Sequence, residues 1–256
     1  MSTFLFDNYV FGPVKSRRLG NSLGINLLPI QSKTCNFNCV YCECGLTLDN
    51  TGKLPSAGEI EKLLRNRLEK ALSNNEKIDS ITYAGNGEPT MHPEFERIID
   101  LSINLRNELY PKAIISVLSN AMLIRKSKVK DALDKVDRNI LKIDSVFPET
   151  INLINCPIED YNLNTVIQEM KGFKKKPWIQ TLFLKGTVNG ISFDNSSDKE
   201  VNAWLNVIQK IQPEAVMIYS LARNTPYESL KSIGKKRLLE ISELLKKLSI
   251  STIVST

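Results

Sequence analysis

The sequence predicts an α/β protein whose parallel strands curl into a partial barrel. Three observations carry that reading. Short apolar, β-branched runs alternate along the chain with amphipathic stretches of helical period. The connections between them are short, and crossovers of this kind join parallel strands. The alternation repeats about six times, too few for a closed eight-stranded barrel, so a curved, partly open (β/α)6 TIM-like barrel fits.

An N-terminal arm over 1–21 precedes a barrel over 22–256, read as one domain because no linker or low-complexity stretch divides it. Ser22-Leu-Gly-Ile-Asn-Leu-Leu-Pro29 reads as a first apolar strand closed by proline. A cysteine-rich loop follows it directly. Ser56 and Glu59 then make a capping-box signal. It opens a helix with Ile60, Leu63, Leu64, Leu68 and Leu72 at helical spacing. Further strands are predicted over 80–84, 113–118, 139–143, 179–184 and 215–219. Helices are predicted over 93–109, 126–133, 164–172, 200–211 and 235–248, and 250–256 can add a terminal strand. Ligands of such a sheet gather at the carboxyl ends of its strands.

The 256 residues suffice for a substantial core, and 42% apolar with 24% charged residues is ordinary for a globular domain. No run is long and apolar enough for a membrane span, and the first residues lack the pattern of a signal peptide, so the expected location is the cytoplasm. The net charge is +6, with basic runs at Arg125–Lys130, Lys174–Lys176 and Lys235–Arg237. That balance is compatible with an RNA partner, but the runs are scattered and lack interleaved aromatics.

Four of the five cysteines lie between Cys35 and Cys44. An odd, clustered set points to metal binding rather than disulfides. In Cys35-Asn-Phe-Asn-Cys39-Val-Tyr-Cys42 three thiols stand within one loop, one short of the four that usually hold a [4Fe–4S] cluster. An open coordination position signals chemistry rather than scaffolding. This spacing, with Tyr41 just before the third cysteine, resembles the radical S-adenosylmethionine (SAM) superfamily, whose core is a partial barrel of the kind predicted here.

The resemblance implies that Cys35, Cys39 and Cys42 ligate the cluster and that SAM chelates the fourth iron. One-electron reduction would then cleave SAM to a 5′-deoxyadenosyl radical that abstracts hydrogen from a substrate. A flavodoxin or ferredoxin-type reductant is implied as partner. Tyr41 would pack near the adenine. At the end of the second strand, Tyr83-Ala-Gly-Asn-Gly-Glu-Pro-Thr-Met-His-Pro93 resembles the family's Gly-Gly-Glu element. By that likeness Gly85, Asn86, Gly87 and Glu88 hold the methionine end, with Asn86 in a left-handed conformation where glycine is usual. Ser119 and Asn120 resemble a Thr-Asn-Gly element beside SAM, and Asp144 is expected at the ribose hydroxyls. Lys142 points to the same side of its strand as Asp144, either toward substrate or in a stabilising ion pair. Arg223, just past a strand end, is a candidate grip for a carboxylate or phosphate. His92, the only histidine, reads as a cap more readily than as an acid or base.

Phe11-Gly-Pro-Val-Lys-Ser-Arg-Arg-Leu-Gly20 and Gly87-Glu88-Pro89-Thr90 resemble a branch related to the wyosine-forming, tRNA-modifying Fe–S oxidoreductases. Arg17 and Arg18 are candidates there for an anionic substrate or for the cluster's surroundings. The branch's second cluster or flavodoxin domain is not evident, so a tRNA base is one substrate class among three. A peptide, as for activating or peptide-modifying enzymes, and a small metabolite are the others. The rival of another class is a zinc-binding interaction protein with Cys44 as fourth thiolate.

Overall fold

The computed structural model describes residues 4–16, 18–47, 52–223 and 225–255. Its main sheet has eight strands in the order β1-β2-β3-β4-β5-β6-β9-β11. β1 (Val10–Ser16) runs antiparallel to β2 (Gly20–Ile25) at one edge. From β2 the sheet is parallel through β3 (Ser80–Tyr83), β4 (Ile114–Ser119), β5 (Arg138–Lys142), β6 (Trp178–Leu182), β9 (Ala215–Tyr219) and β11 (Ser251–Ser255). The order ends at β11 rather than returning to β1, so the curled sheet is an open partial barrel. That is the fold class the sequence predicts.

Each crossover is helical: α1 (Ala57–Ser73), α2 (Phe95–Leu109), α3 (Ser127–Lys135), α4 (Pro148–Ile154) with α5 (Leu163–Lys171), α6 (Asp198–Ile211) and α7 (Lys235–Lys247). The start of α1 follows its capping signal. Ser56 Oγ accepts from the Glu59 N–H at 3.2 Å, and the Glu94 carboxylate accepts from Ala57 N–H at 2.9 Å. Ile60, Leu64 and Leu68 are buried as expected, but Leu63 and Leu72 lie on the exposed flank of the same helix, where Ala57 and Ala71 complete the inner face.

Alternation along the strands divides the interior into two layers. Leu23, Ile25, Ile81, Tyr83, Ile115, Val117, Leu141, Ile179, Val216 and Ile218 share one large core with the helices. The opposite, concave face is polar on one flank, where Ser22, Thr82 and Ser80 link hydroxyls at 2.7 Å. On the other flank Ile140, Trp178, Ala215 and Met217 make a separate apolar cluster, capped by Leu19 from the β1–β2 turn.

Three parts of the fold escaped the sequence reading. β1 gives the N-terminal arm regular structure. β7 (Leu184–Val188), β8 (Ile191–Asp194) and β10 (Lys231–Ser232) form a small antiparallel sheet beyond β6. The single strand expected over 179–184 therefore divides after Leu182. α4 went unseen because it is only two turns long, with one proline at its start.

The arm is fastened where a side chain is missing. A Cβ on Gly24 would fall 2.2 Å from the Phe11 ring, which also stacks on Phe6 at 3.9 Å. We expect Gly24→Ala to destabilise the protein by about 1–2 kcal/mol in denaturant unfolding. Much of that cost should disappear in a Phe11→Ala background, since the clash partner is then gone.

Candidate functional site

The loop that leaves β2 carries the cysteines, and backbone bonds fasten it on two sides. On one side Thr34 N–H donates to Asn86 O at 2.8 Å, and Glu88 N–H donates to Thr34 O at 3.1 Å. On the other, Asn38 N–H donates to Cys156 O at 2.9 Å and Val40 N–H to Ile154 O at 3.0 Å. Gly87 makes the first contact possible. Its φ is 138°, and a Cβ there would lie 1.8 Å from Thr34 O. The positive φ thus falls on Gly87 and not, as expected, on Asn86.

Asn86 instead anchors the arm. Its side chain accepts from Phe6 N–H and donates to Phe6 O and Pro29 O, and its own N–H donates to Asn26 Oδ1 at 3.0 Å. Glu88 is 2% exposed. One carboxylate oxygen accepts from Thr90 N–H and Oγ1 and from Ser119 Oγ at 2.8 Å; the other accepts from Asn120 N–H at 2.7 Å. Burial raises the Glu88 carboxyl above its usual range, against the pull of these donors. The carboxylate therefore ties the β3 turn to the β4 end. Asn120 in turn donates to Asn36 Oδ1 at 2.6 Å and lies 3.7 Å from Cys35 Sγ.

A second buried carboxylate sits after β5. Asp144 accepts from Leu182 N–H and the Asn155 amide at 2.9 and 2.7 Å and from the Tyr41 hydroxyl, with Lys142 Nζ 3.5 Å away. Both oxygens already have donors inside the protein. Asn155 also reaches Cys39 Sγ at 3.6 Å. Lys142 lies 5.1 Å over the Tyr41 ring. Burial alone would lower its ammonium, but Asp144, Tyr219 and Cys39 outweigh burial and raise it.

The thiols respond to the same surroundings. Burial pushes Cys35 up to about 12 and Cys39 to about 11. A hydrogen bond from Cys44 lowers Cys42 to about 6, with help from Lys33, while Cys44 itself is raised. Cys44 Sγ also lies 3.5 Å from Gly85 O. Among the described residues no three His, Cys, Asp or Glu side chains are grouped tightly enough to hold a single metal ion. A cubane cluster does not ask for that convergence, since each of its irons takes its own thiolate.

The sequence-predicted residues thus gather around one mouth, with Arg223 at its rim. Arg223 is exposed and pairs with Glu43 at 2.6 Å, next to Cys42 in the chain. Arg17 lies outside the described residues. Three participants went unpredicted. Lys33 is 4% exposed and donates to Gly45 O at 2.9 Å beside the thiols. Asn36 and Asn155 present amides to Cys35's neighbourhood and to Cys39. A lysine two residues before the first cysteine was a readable signal; nothing local marked Asn155.

His92 is structural. Its Nε2 donates to Pro55 O at 2.8 Å and its Nδ1 accepts from Glu94 N–H at 3.1 Å, a neutral tautomer with both nitrogens engaged. Burial lowers its pKa. The unfolded chain therefore binds the extra proton first, and stability should fall as pH drops through about 6.5 toward the folded value. Unfolding curves between about pH 7.5 and 5 check this, with His92→Gln expected to flatten the slope. A separate strain sits at Ala121, fully buried at φ 69°. Ala121→Gly should stabilise by about 1 kcal/mol in the same assay.

The family model described as the Radical SAM superfamily matches residues 30–186. The chain is 30% identical over 233 residues to a protein named GTPase Obg from Brachyspira hyodysenteriae, covering 90% of this chain and 32% of that one. It is 36% identical over 167 residues to a UPF0026 protein from Methanocaldococcus jannaschii, covering 64% and 49%. It is 33% identical to a probable GTP 3′,8-cyclase of Methanococcus maripaludis, covering 77% and 62%. The chain thus spans a third to a half of the first two relatives. It contains no Gly-x-x-x-x-Gly-Lys-Ser/Thr phosphate loop. Among solved structures, a radical SAM methyltransferase from Sphaerobacter thermophilus superposes with TM-score 0.69 at 15% identity, covering 91% of this chain and 65% of that one. SuiB from Streptococcus suis, bound to S-adenosylmethionine, gives 0.65 at 16%, covering 92% and 52%. At these identities the likeness concerns the fold.

Proposed function

The chain belongs to the radical SAM superfamily, and from that premise we propose that its cysteine loop holds a [4Fe–4S] cluster and its barrel mouth takes SAM. The observation that carries this reading is the immediate setting of the thiols. Asn120 and Asn155 amides and the Phe37 N–H, 3.4 Å from Cys35 Sγ, direct donors at Cys35 and Cys39 sulfurs. Such N–H···S contacts accompany cluster ligation. Thr34 Oγ1 and Asn36 Nδ2, flanking Cys35, are buried polar atoms without a hydrogen-bond partner among the described residues. Buried groups of that kind ask for a ligand. The residues present fit the group.

Cys35, Cys39 and Cys42 would each ligate one iron. When bound and reduced, the cluster cleaves SAM and supplies a 5′-deoxyadenosyl radical for hydrogen abstraction. The chain's own contribution is positioning. Glu88 fixes the Gly85–Gly87 turn against Ser119 and Asn120, so that turn and those two residues present backbone and amide groups to the methionine end. Asp144 holds the Tyr41 ring as a wall beside the adenosine, rather than meeting the ribose itself. Met122, Ile154, Leu182 and Leu184 pack with Phe37, Val40 and Tyr41 around the cysteines and keep water from the loop.

For the substrate, a nucleotide or an RNA base is the class we favour. The +6 charge and the likeness to proteins named probable GTP 3′,8-cyclase support it. A flavodoxin or ferredoxin-type protein is the proposed reductant. No helix among the described residues is long and apolar enough to cross a membrane.

Anaerobic reconstitution tests the reading. The protein should turn brown with about four irons per chain and release 5′-deoxyadenosine from SAM on reduction. Cys35→Ala, Cys39→Ala and Cys42→Ala should each lose iron and colour, while Cys44→Ala keeps both. A colourless protein holding one zinc, lost in Cys44→Ala, overturns the proposal.

A further inference from the structure

Arg18 has no part in the machinery above, yet it points into the barrel. The Ser16 hydroxyl accepts from the N–H groups of Arg18 and Leu19 at 3.3 and 3.1 Å and folds the β1–β2 turn inward. Leu19 then caps the apolar flank of the concave face. The Arg18 guanidinium lies 4.4 Å over the Tyr219 ring and donates to Gln180 Oε1 at 3.3 Å. Among the described residues no carboxylate pairs with it. An arginine brought inside a barrel and held in a fixed orientation without an anion is an unfilled half of an ion pair.

Its surroundings reinforce the point. Gln180 pairs in register with Lys142, and Leu182, two residues on, with Tyr219, so Arg18 and Lys142 converge on the same stretch of the concave face. The Lys142 side chain is 14% exposed. Its partner Asp144 is 3.5 Å away and engaged more closely by three other donors. Gln180 is 6% exposed, and its NH2 group makes no hydrogen bond among the described residues. Asp144 thus pairs with Lys142 alone, Arg18 has no carboxylate among the described residues, and the local excess is positive.

We propose that Arg18, Lys142 and Gln180 form an anion-binding floor of the substrate chamber, taking a carboxylate or phosphate group of the substrate. The planar guanidinium offers the two-pronged match for either group, and Lys142 adds a point charge. Burial in a half-closed barrel strengthens both relative to exposed cations. The assignment rests on the reading of the barrel mouth as the reaction chamber, and it adds the chemical class of what enters.

Calorimetric titration of the protein, as purified and after cluster reconstitution, tests it with pyrophosphate and malonate as probes and glycerol as the neutral control. One of the two anions should bind, and which one separates phosphate from carboxylate recognition. Arg18→Met should weaken that binding by about tenfold or more, with Arg18→Lys intermediate. Arg18 is partly solvated, so its variants should keep the wild-type unfolding curve; Lys142→Met serves as a second probe only where its curve is also unchanged. Saturating SAM should leave anion binding in place. No binding of either anion at about 10 mM overturns the proposal, as does equal affinity in Arg18→Met. So does displacement by SAM, which would make the cations part of the cosubstrate site. Titration needs neither reduction nor SAM cleavage, so this assignment and the cluster chemistry can fail separately.

Discussion

The backbone exchange between Thr34 and the Asn86–Glu88 turn is the contact on which the rest of the site depends. Two hydrogen bonds join the start of the cysteine loop to the end of the neighbouring strand, and only a residue without a side chain fits between them. Because that turn also carries Glu88, the position of Cys35 is fixed relative to β4 through Ser119 and Asn120. A second pair of backbone bonds on the α4 side fixes Cys39 relative to Asn155 and Asp144. The loop is therefore held as if it were a strand, with side chains disposed by the sheet rather than by its own short sequence.

Two buried carboxylates organise the mouth, one on each flank of the loop. Burying such groups is costly unless every oxygen finds donors. Glu88 and Asp144 meet that condition with backbone N–H groups, hydroxyls and amides contributed by different strands. The result is that β3, β4, β5 and β6 are cross-linked at their carboxyl ends, where ligands of this architecture collect. Glu88 and Asp144 thus hold in place the groups around them at the mouth.

How far the sequence foretold this depends on the range of each signal. Strand-helix alternation, the Ser56 cap and the cysteine spacing are local patterns, and they led to the barrel and to the loop at its mouth. Asn86 was expected to bend and to face a ligand, but its side chain is occupied by Phe6 and Pro29, residues far away in the chain. Asn155 matters through a contact that exists only once the barrel has folded around the loop, whereas Lys33 reaches Gly45 within the loop itself. The β1–β2 turn was visible as a basic stretch; that it folds inward, bringing Arg18 to Tyr219, follows from the Ser16 hydroxyl and the antiparallel pairing of β1. The residues proposed for the substrate lie on a strand, a strand end and the arm, so no single local pattern joins them.

The far-side fastening of the cysteine loop also bears on how the protein is made. Asn155, which reaches Cys39, lies 116 residues downstream. Chains emerge N-terminus first and domains fold as units. The thiols are therefore synthesised early but stay unframed until the fifth strand and the short helix after it have left the ribosome. If the thiols hold the proposed cluster, iron delivered before then would meet three unframed thiols rather than a formed cradle.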